Sequence, residues 1–270
     1  MLLSNKLVDL STCSESNLSD KFNSFNREMA LLLQTKLDEC AINENVKAIY
    51  VTGAGKAFCA GQDIGELVGE GKMELAQILS EHYNPIVKRI RALQKPVVCA
   101  VNGVAAGAGA NIALCCDVVV ATESASFIQA FSKIGLIPDS GGTYTLPRLI
   151  GWQKASALMM TGDKVTATEA EKIGMLYKVF SDEVFVEESK KIAVTLSQMP
   201  TQGLALTKLA LNKSFTNNWD QQLQVEDELQ QQAALTTDYA EGINSFLEKR
   251  KPIFIGNSAG NSITDAKIDE

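Results

Sequence analysis

Asp139 lies in the run Gly-Leu-Ile-Pro-Asp-Ser-Gly-Gly-Thr, residues 135–143, between an apolar stretch and a pair of glycines. Glycine has no Cβ and lets backbone approach a ligand closely, so this carboxylate is a candidate catalytic acid/base. A Pro-Asp pair also makes ordinary turns, because Pro presets φ and Asp bonds its own backbone. Two other segments, residues 53–64 and 102–111, are rich in glycine and alanine and follow apolar, β-branched runs. Loops after strands are where open α/β sheets bind ligands, although tight turns and close helix packing use the same residues. The first segment has a Gly-x-Gly pair without a third glycine at dinucleotide spacing, so it is no Rossmann fingerprint. Neither contains Gly-Lys-Ser or Gly-Lys-Thr, which excludes a P-loop.

The elements that hold these segments alternate. Apolar spacing predicts a helix over 25–42, a strand over 46–52, a helix over 83–93, a strand over 97–101 and another over 118–121. Strands separated by helical crossovers imply an α/β fold with parallel pairing and right-handed connections. The uncharged run 97–116 is long enough to cross a bilayer. Asn102-Gly103 breaks it, so it reads instead as a buried strand, a glycine-rich turn and a buried helix. After about residue 152 helices dominate, at 155–160, 167–173, 184–196 and 204–211, and the only later strand expected is a short one at 176–180. The organisation expected is an α/β core over 1–200, a helical region over 201–256 and a disordered tail over 257–270.

Composition limits what the site can serve. The 25 basic and 32 acidic side chains give a net charge of -7, which opposes sequence-independent binding to nucleic acid. Six cysteines, at 13, 40, 59, 99, 115 and 116, lack the spacing of a disulfide scaffold or a zinc site, and no metal is expected. Cys99, Cys115 and Cys116 lie in apolar runs and read as core thiols. The first ten residues carry Lys6 and Asp9 and do not read as a signal peptide. A cytoplasmic protein with no membrane partner is therefore expected. The single histidine, His82, has no second histidine to share a metal and reads as a helix surface residue.

Several motifs in order resemble the enoyl-CoA hydratase/isomerase, or crotonase, family over about residues 22–256. They are Ala-Phe-Cys-Ala-Gly-Gln-Asp at 57–63, Val-Asn-Gly-Val-Ala-Ala-Gly-Ala-Gly at 101–109, the Pro138-Asp139 segment, and 238–243 with 246–250. The resemblance implies a crotonase-like spiral of ββα repeats, then a C-terminal helical region that drives trimer formation, as a homotrimer or a dimer of trimers. It also implies acyl-CoA thioester substrates, with CoA as part of the substrate and no separate cofactor. By position, the backbone amides of Gln62 and Ala108 would hold the thioester oxygen as negative charge develops on it. The same resemblance gives Ala60, Asp63, Ile64 and Phe131 as acyl- or CoA-binding candidates, Lys21 and Phe22 for the CoA phosphates and adenine, and Phe246 and Lys249 for a neighbouring subunit's CoA.

Where the acids sit separates the chemistries. Hydratases of the family carry two glutamates, and the matching positions here are Asn111 and Phe131. Neither exchanges a proton at neutral pH, whereas activating water while protonating carbon calls for two such groups. Asp139 instead stands where the family's isomerases carry one acid. The run 130–143, with 23–26 and 83–85, is similar to the branch that converts ring-epoxidised phenylacetyl-CoA to its oxepin. The related action on linear chains shifts a 3-enoyl double bond to the 2-position. Phe131 and Ile137 are expected either to wall Asp139 and raise its pKa by desolvation or to be ordinary core residues. The polar stretch 11–19 and a missing proline depart from the family's N-terminal pattern. That leaves Lys21 as either a phosphate contact or a solvated lysine. A hydratase and a non-catalytic acyl-CoA-binding scaffold are the competing functions.

Overall fold

A computed structural model describes residues 22–68 and 72–256, with residues 6–9 by backbone alone. In chain order the elements are β1 (Lys6–Asp9), α1 (Arg27–Ile42), β2 (Val46–Thr52), β3 (Ala57–Cys59), α2 (Leu75–Ile78), α3 (Asn84–Ala92), β4 (Val97–Val101), β5 (Val104–Ala106) and α4 (Ala108–Leu114). Next come β6 (Val118–Thr122), β7 (Ser126–Ile128), α5 (Gly142–Ile150), α6 (Trp152–Thr161), β8 (Lys164–Thr166), α7 (Ala167–Lys172) and β9 (Lys178–Phe180). Four helices close the chain: α8 (Phe185–Ser197), α9 (Thr201–Ser214), α10 (Trp219–Ala234) and α11 (Thr237–Leu247).

Two sheets result. The order β1-β2-β4-β6-β9 forms a five-stranded, all-parallel sheet, and β3-β5-β7-β8 forms a four-stranded sheet in which only β7 and β8 run antiparallel. Each turn of the chain lays one strand in the first sheet, a short one in the second, then helix: β2-β3-α2-α3, β4-β5-α4, β6-β7-α5. This is the spiral of ββα repeats implied by the motifs.

The first sheet is buried on both sides, which is why its strands read as continuous apolar runs. Successive side chains point to opposite faces. Ile49, Val97, Cys99, Val101 and Val119 enter the larger core toward the second sheet and α1, α3 and α4, and Tyr50, Val98, Ala100 and Val120 enter a smaller one. That second core is closed by Phe185 and Ala193 of α8, and the Tyr50 hydroxyl meets Ser189 Oγ at 2.9 Å. Helix α1 begins and ends on polar partners. Asn26 accepts the Met29 amide at 2.9 Å to start α1, and the buried Lys95 donates to the carbonyls of Cys40, Ala41 and Asn43 at its end. A cation there meets the negative end of the helix dipole.

The structure differs from the sequence reading in several places. The run 164–166 is a strand, although none was expected between 152 and 176. The glycine-rich segments hold the three-residue strands β3 and β5, too short to show a period. Helix α5 starts on Gly142 and contains Pro147, both unusual in a helix, although Leu146 and Ile150 give it a buried face; α10 buries only Leu229 and carries no clear apolar stripe. The uncharged run 97–116 folds back on itself as β4, β5 and α4, and no helix among the described residues is long and apolar enough to cross a membrane. The stretch 11–19, Lys21 and the tail 257–270 lie outside the described residues.

Candidate active site

Glycines bring the two alanine-rich loops together backbone to backbone. A Cβ on Gly109 would lie 2.6 Å from both the carbonyl oxygen and the sulfur of Cys59, and Gly61, at φ +93°, would place one 3.0 Å from the Ala106 oxygen. Phe25 pairs with the first loop: its N–H donates to Gly61 O at 2.7 Å and its carbonyl accepts from Asp63 N at 2.8 Å. A residue flanked in this way turns its own N–H away from its partner, so the Gln62 amide faces away from Phe25. Ala108 opens α4, where the first amides have no partner inside the helix.

Asp139 is set opposite these amides by a separate set of bonds. Its carbonyl accepts from Gly142 N at 2.8 Å and from Asn111 Nδ2 at 2.9 Å, and Asn111 Oδ1 accepts from the buried Gln129 Nε2 at 2.8 Å. The following residue, Ser140, holds φ at +52° and donates its hydroxyl to Asp139 Oδ1 at 2.8 Å. Burial raises the Asp139 carboxyl above its ordinary value, and the bonds from Ser140 and its own backbone pull it part of the way back. Asp139, Gln62 and Ala108 line one cavity of about 190 Å³, together with Ala60, Ile64, Phe131, Leu67, Ile78, Tyr83 and Leu136. The Cys59 thiol beside it is pushed up to about 12 by burial and stays protonated, so it is no nucleophile.

A sequence model of the enoyl-CoA hydratase/isomerase family matches residues 17–257. The chain belongs to that family. It is 43% identical over 244 residues to the 1,2-epoxyphenylacetyl-CoA isomerase of Escherichia coli (strain K12), covering 89% of this chain and 93% of the relative. It is 36% identical over 242 residues to the crotonyl-CoA hydratase of Syntrophomonas wolfei subsp. wolfei (strain DSM 2245B / Goettingen), covering 88% and 92%. A crystal structure of an enoyl-CoA hydratase from Bacillus anthracis matches with a TM-score of 0.83 at 32% identity, covering 88% of this chain and 93% of that one. The chain thus shares the crotonase fold, and its relatives' names divide between isomerase and hydratase.

Within this crotonase-family site the cavity gathers six of the expected residues: Asp139, Gln62, Ala108, Ala60, Ile64 and Phe131. Asp63 is not among its walls; its carboxylate accepts Gly65 N at 2.9 Å and starts the short helical turn Ile64–Leu67. Ile137, expected either in the wall or in the core, is 80% exposed and is in neither. Leu136 lines the cavity instead. Phe22, at φ +55°, is exposed and its carbonyl accepts from Ala60 N. Phe246 is exposed on α11, and Lys249 follows that helix at φ +55°; neither lines the cavity.

His82 is a correction: it is 0% exposed rather than on a surface. Ile78, His82, Ile86 and Ile90 recur every four residues, and all four are buried. That spacing exceeds the 3.6 residues of a regular turn, and the wide π-helical turn Leu79–Tyr83 absorbs the drift. The same turn carries Tyr83 into the cavity wall, a position the sequence reading did not assign. The four-residue repeat was the available signal.

Proposed function

We propose that this protein is an acyl-CoA isomerase in which Asp139 moves a proton between two carbons while the amides of Gln62 and Ala108 hold the thioester oxygen. The observation that carries this reading is that, among the described residues lining the cavity, Asp139 is the single carboxylate. Asn111 and Phe131 occupy the two positions at which the family's hydratases place their glutamates. Asn111 is committed to the Asp139 backbone and Phe131 to the apolar wall. Activation of water and protonation of carbon by two separate acids therefore has no pair of groups to use among the described residues.

For a 3-enoyl thioester, the Asp139 carboxylate takes a proton from C2. The electron pair delocalises onto the thioester oxygen under the two amides, and the same proton returns at C4 to leave the 2-enoyl product with its mass unchanged. Pre-aimed donors in a water-poor site stabilise such an enolate, and losing one costs about 100-fold or more. For ring-1,2-epoxyphenylacetyl-CoA the carbon–carbon bond shared by the epoxide and the ring breaks to give the seven-membered oxepin, and the same base would take a proton from the side-chain methylene and return it to a ring carbon, so that mass is again unchanged. The identity to a relative named for that reaction supports the ring substrate. We further infer a homotrimer or dimer of trimers built on the C-terminal helices, with CoA held by Lys21, Phe22 and Asp63 and by a neighbouring subunit's Phe246 and Lys249.

The deciding experiment is turnover of both thioesters followed by mass-resolved chromatography, with Asp139→Asn run in parallel. Mass-neutral conversion that falls on the order of 1,000-fold in the variant is expected. A product heavier by one water, or activity indifferent to the substitution, overturns the assignment.

A further inference from the structure

Gln62 is held by its side chain as well as by its backbone, and the groups that hold it belong to no part of the chemistry above. Its Nε2 donates to Glu66 Oε2 at 2.9 Å, and its Oε1 accepts the Tyr83 hydroxyl at 2.7 Å. The other oxygen of Glu66 accepts the Arg27 amide at 2.7 Å, in the first turn of α1. Tyr83 is buried and its ring stands edge-on to Phe25, centroids 5.9 Å apart at 80°. Phe25 is the residue that clamps the backbone on either side of Gln62. Four elements therefore converge on one residue: the N-terminus of α1, the turn Ile64–Leu67, the π-helical turn and the Phe25 bridge.

We infer that Glu66 and Tyr83 are positioning residues for catalysis, fixing Gln62 so that its backbone amide points at the thioester oxygen. The inference rests on the isomerase reading and deepens it. The Phe25 bonds hold the backbone on either side of Gln62, and the two side-chain bonds restrain the tilt that remains at its Cα; a donor misplaced by a fraction of an ångström loses much of its effect on a developing charge. The acceptor chemistry is specific. A carboxylate accepts at both oxygens, so Glu66 serves the Arg27 and Gln62 donors together, whereas an amide accepts at one only. Tyr83 must donate, and burial first, with the nearby Cys59, Asp139 and Glu66, keeps its phenol well above the ordinary value and protonated.

Glu66→Gln and Tyr83→Phe separate this role from simple packing, since both preserve shape. Each is expected to lower kcat about tenfold with KM little changed. Each should also weaken binding of acetoacetyl-CoA, whose enolate places negative charge on the thioester oxygen, by about the same factor. Affinity for saturated butyryl-CoA should stay within about twofold, and the double variant should lose less than the product of the singles, because both act through one amide. Unchanged kcat and acetoacetyl-CoA binding in both variants would overturn the inference, as would an equal loss of butyryl-CoA affinity. A parent enzyme that turns over neither thioester would instead remove the isomerase reading on which it stands.

Discussion

Asp139 is shaped by two opposed effects, and each can be moved separately. Desolvation raises its pKa and the Ser140 hydroxyl lowers it. If the carboxylate is the base, kcat/KM should fall on the acid side at a pH above the ordinary aspartate range. Ser140→Gly removes the hydroxyl while accepting the positive φ, and should shift that limb further toward alkaline pH. A pH profile that does not move would separate Asp139 from the rate-limiting proton transfer. Stability follows the same sign. The folded-state pKa lies above that of the unfolded chain, so ionising Asp139 costs stability as pH rises through the two values, and the cost is fully present above the folded-state value. Asp139→Asn should therefore keep or raise the neutral-pH melting midpoint while abolishing turnover. Local chemistry marked only a fixed turn, with Pro before Asp139 and glycines after it; the ordered motifs in the rest of the chain are what made the residue a candidate acid/base. Asn111 and Ser140, which hold it, were not legible as partners because they reach Asp139 through tertiary geometry and a positive φ.

At the scale of elements, the site depends on how closely the turn after β3 can lie against α4. Gly109 is the point of closest approach, with the Cys59 carbonyl and sulfur both where a Cβ would be. Gly109→Ala should force the two loops apart, costing about 1–3 kcal/mol in stability as an overpacked contact. It should also lower kcat by more than that loss explains, because Gln62 and Ala108 move relative to each other; urea unfolding beside steady-state kinetics checks both. Long strands and amphipathic helices were legible because burial on one or both faces writes a period into the sequence, as in 46–52 and 97–101. The three-residue strands β3, β5 and β8 were not, since pairing with a neighbour decides them rather than any local pattern. His82 shows the same limit from the other side. Its polarity suggested a surface, yet its place in the Ile78, Ile86, Ile90 repeat fixed it inside.

At the scale of the whole molecule, helix α9 is tied to the elements before it by a buried cation among its contacts. Lys208 of α9 donates to Ile90 O at 2.7 Å and to Asp117 Oδ2 at 2.8 Å, and the same Asp117 oxygen accepts the amide of Val97, the first residue of β4. Asn212, one turn further along α9, donates to Arg91 O at 3.1 Å. One helix thus holds the end of α3, the start of β4 and the turn after α4 together. Burial depresses the Lys208 pKa even though Asp117 beside it pulls the other way, so desolvation outweighs attraction in this pair. Such pairs are costly to break from one side and cheap to remove whole. Lys208→Met should therefore lose about 3 kcal/mol, because it removes the close cation beside Asp117, leaving the longer 3.9 Å pair with Arg91, and takes the donor from the Ile90 carbonyl. Adding Asp117→Asn should recover part of that loss, since the amide oxygen still accepts from Val97 and the remaining cation, Arg91, is partly solvated and keeps its bonds to Cys115 O and Asn212. Hydrogen exchange locates the effect. In the parent, amides of α9 and β4 should exchange through the same global opening. In Lys208→Met those of α9 should exchange on the order of 100-fold faster than those of β4, as the helical region opens by itself. Equal acceleration in both elements would mean that the pair stabilises the molecule as one unit, and that 201–256 is no separate region.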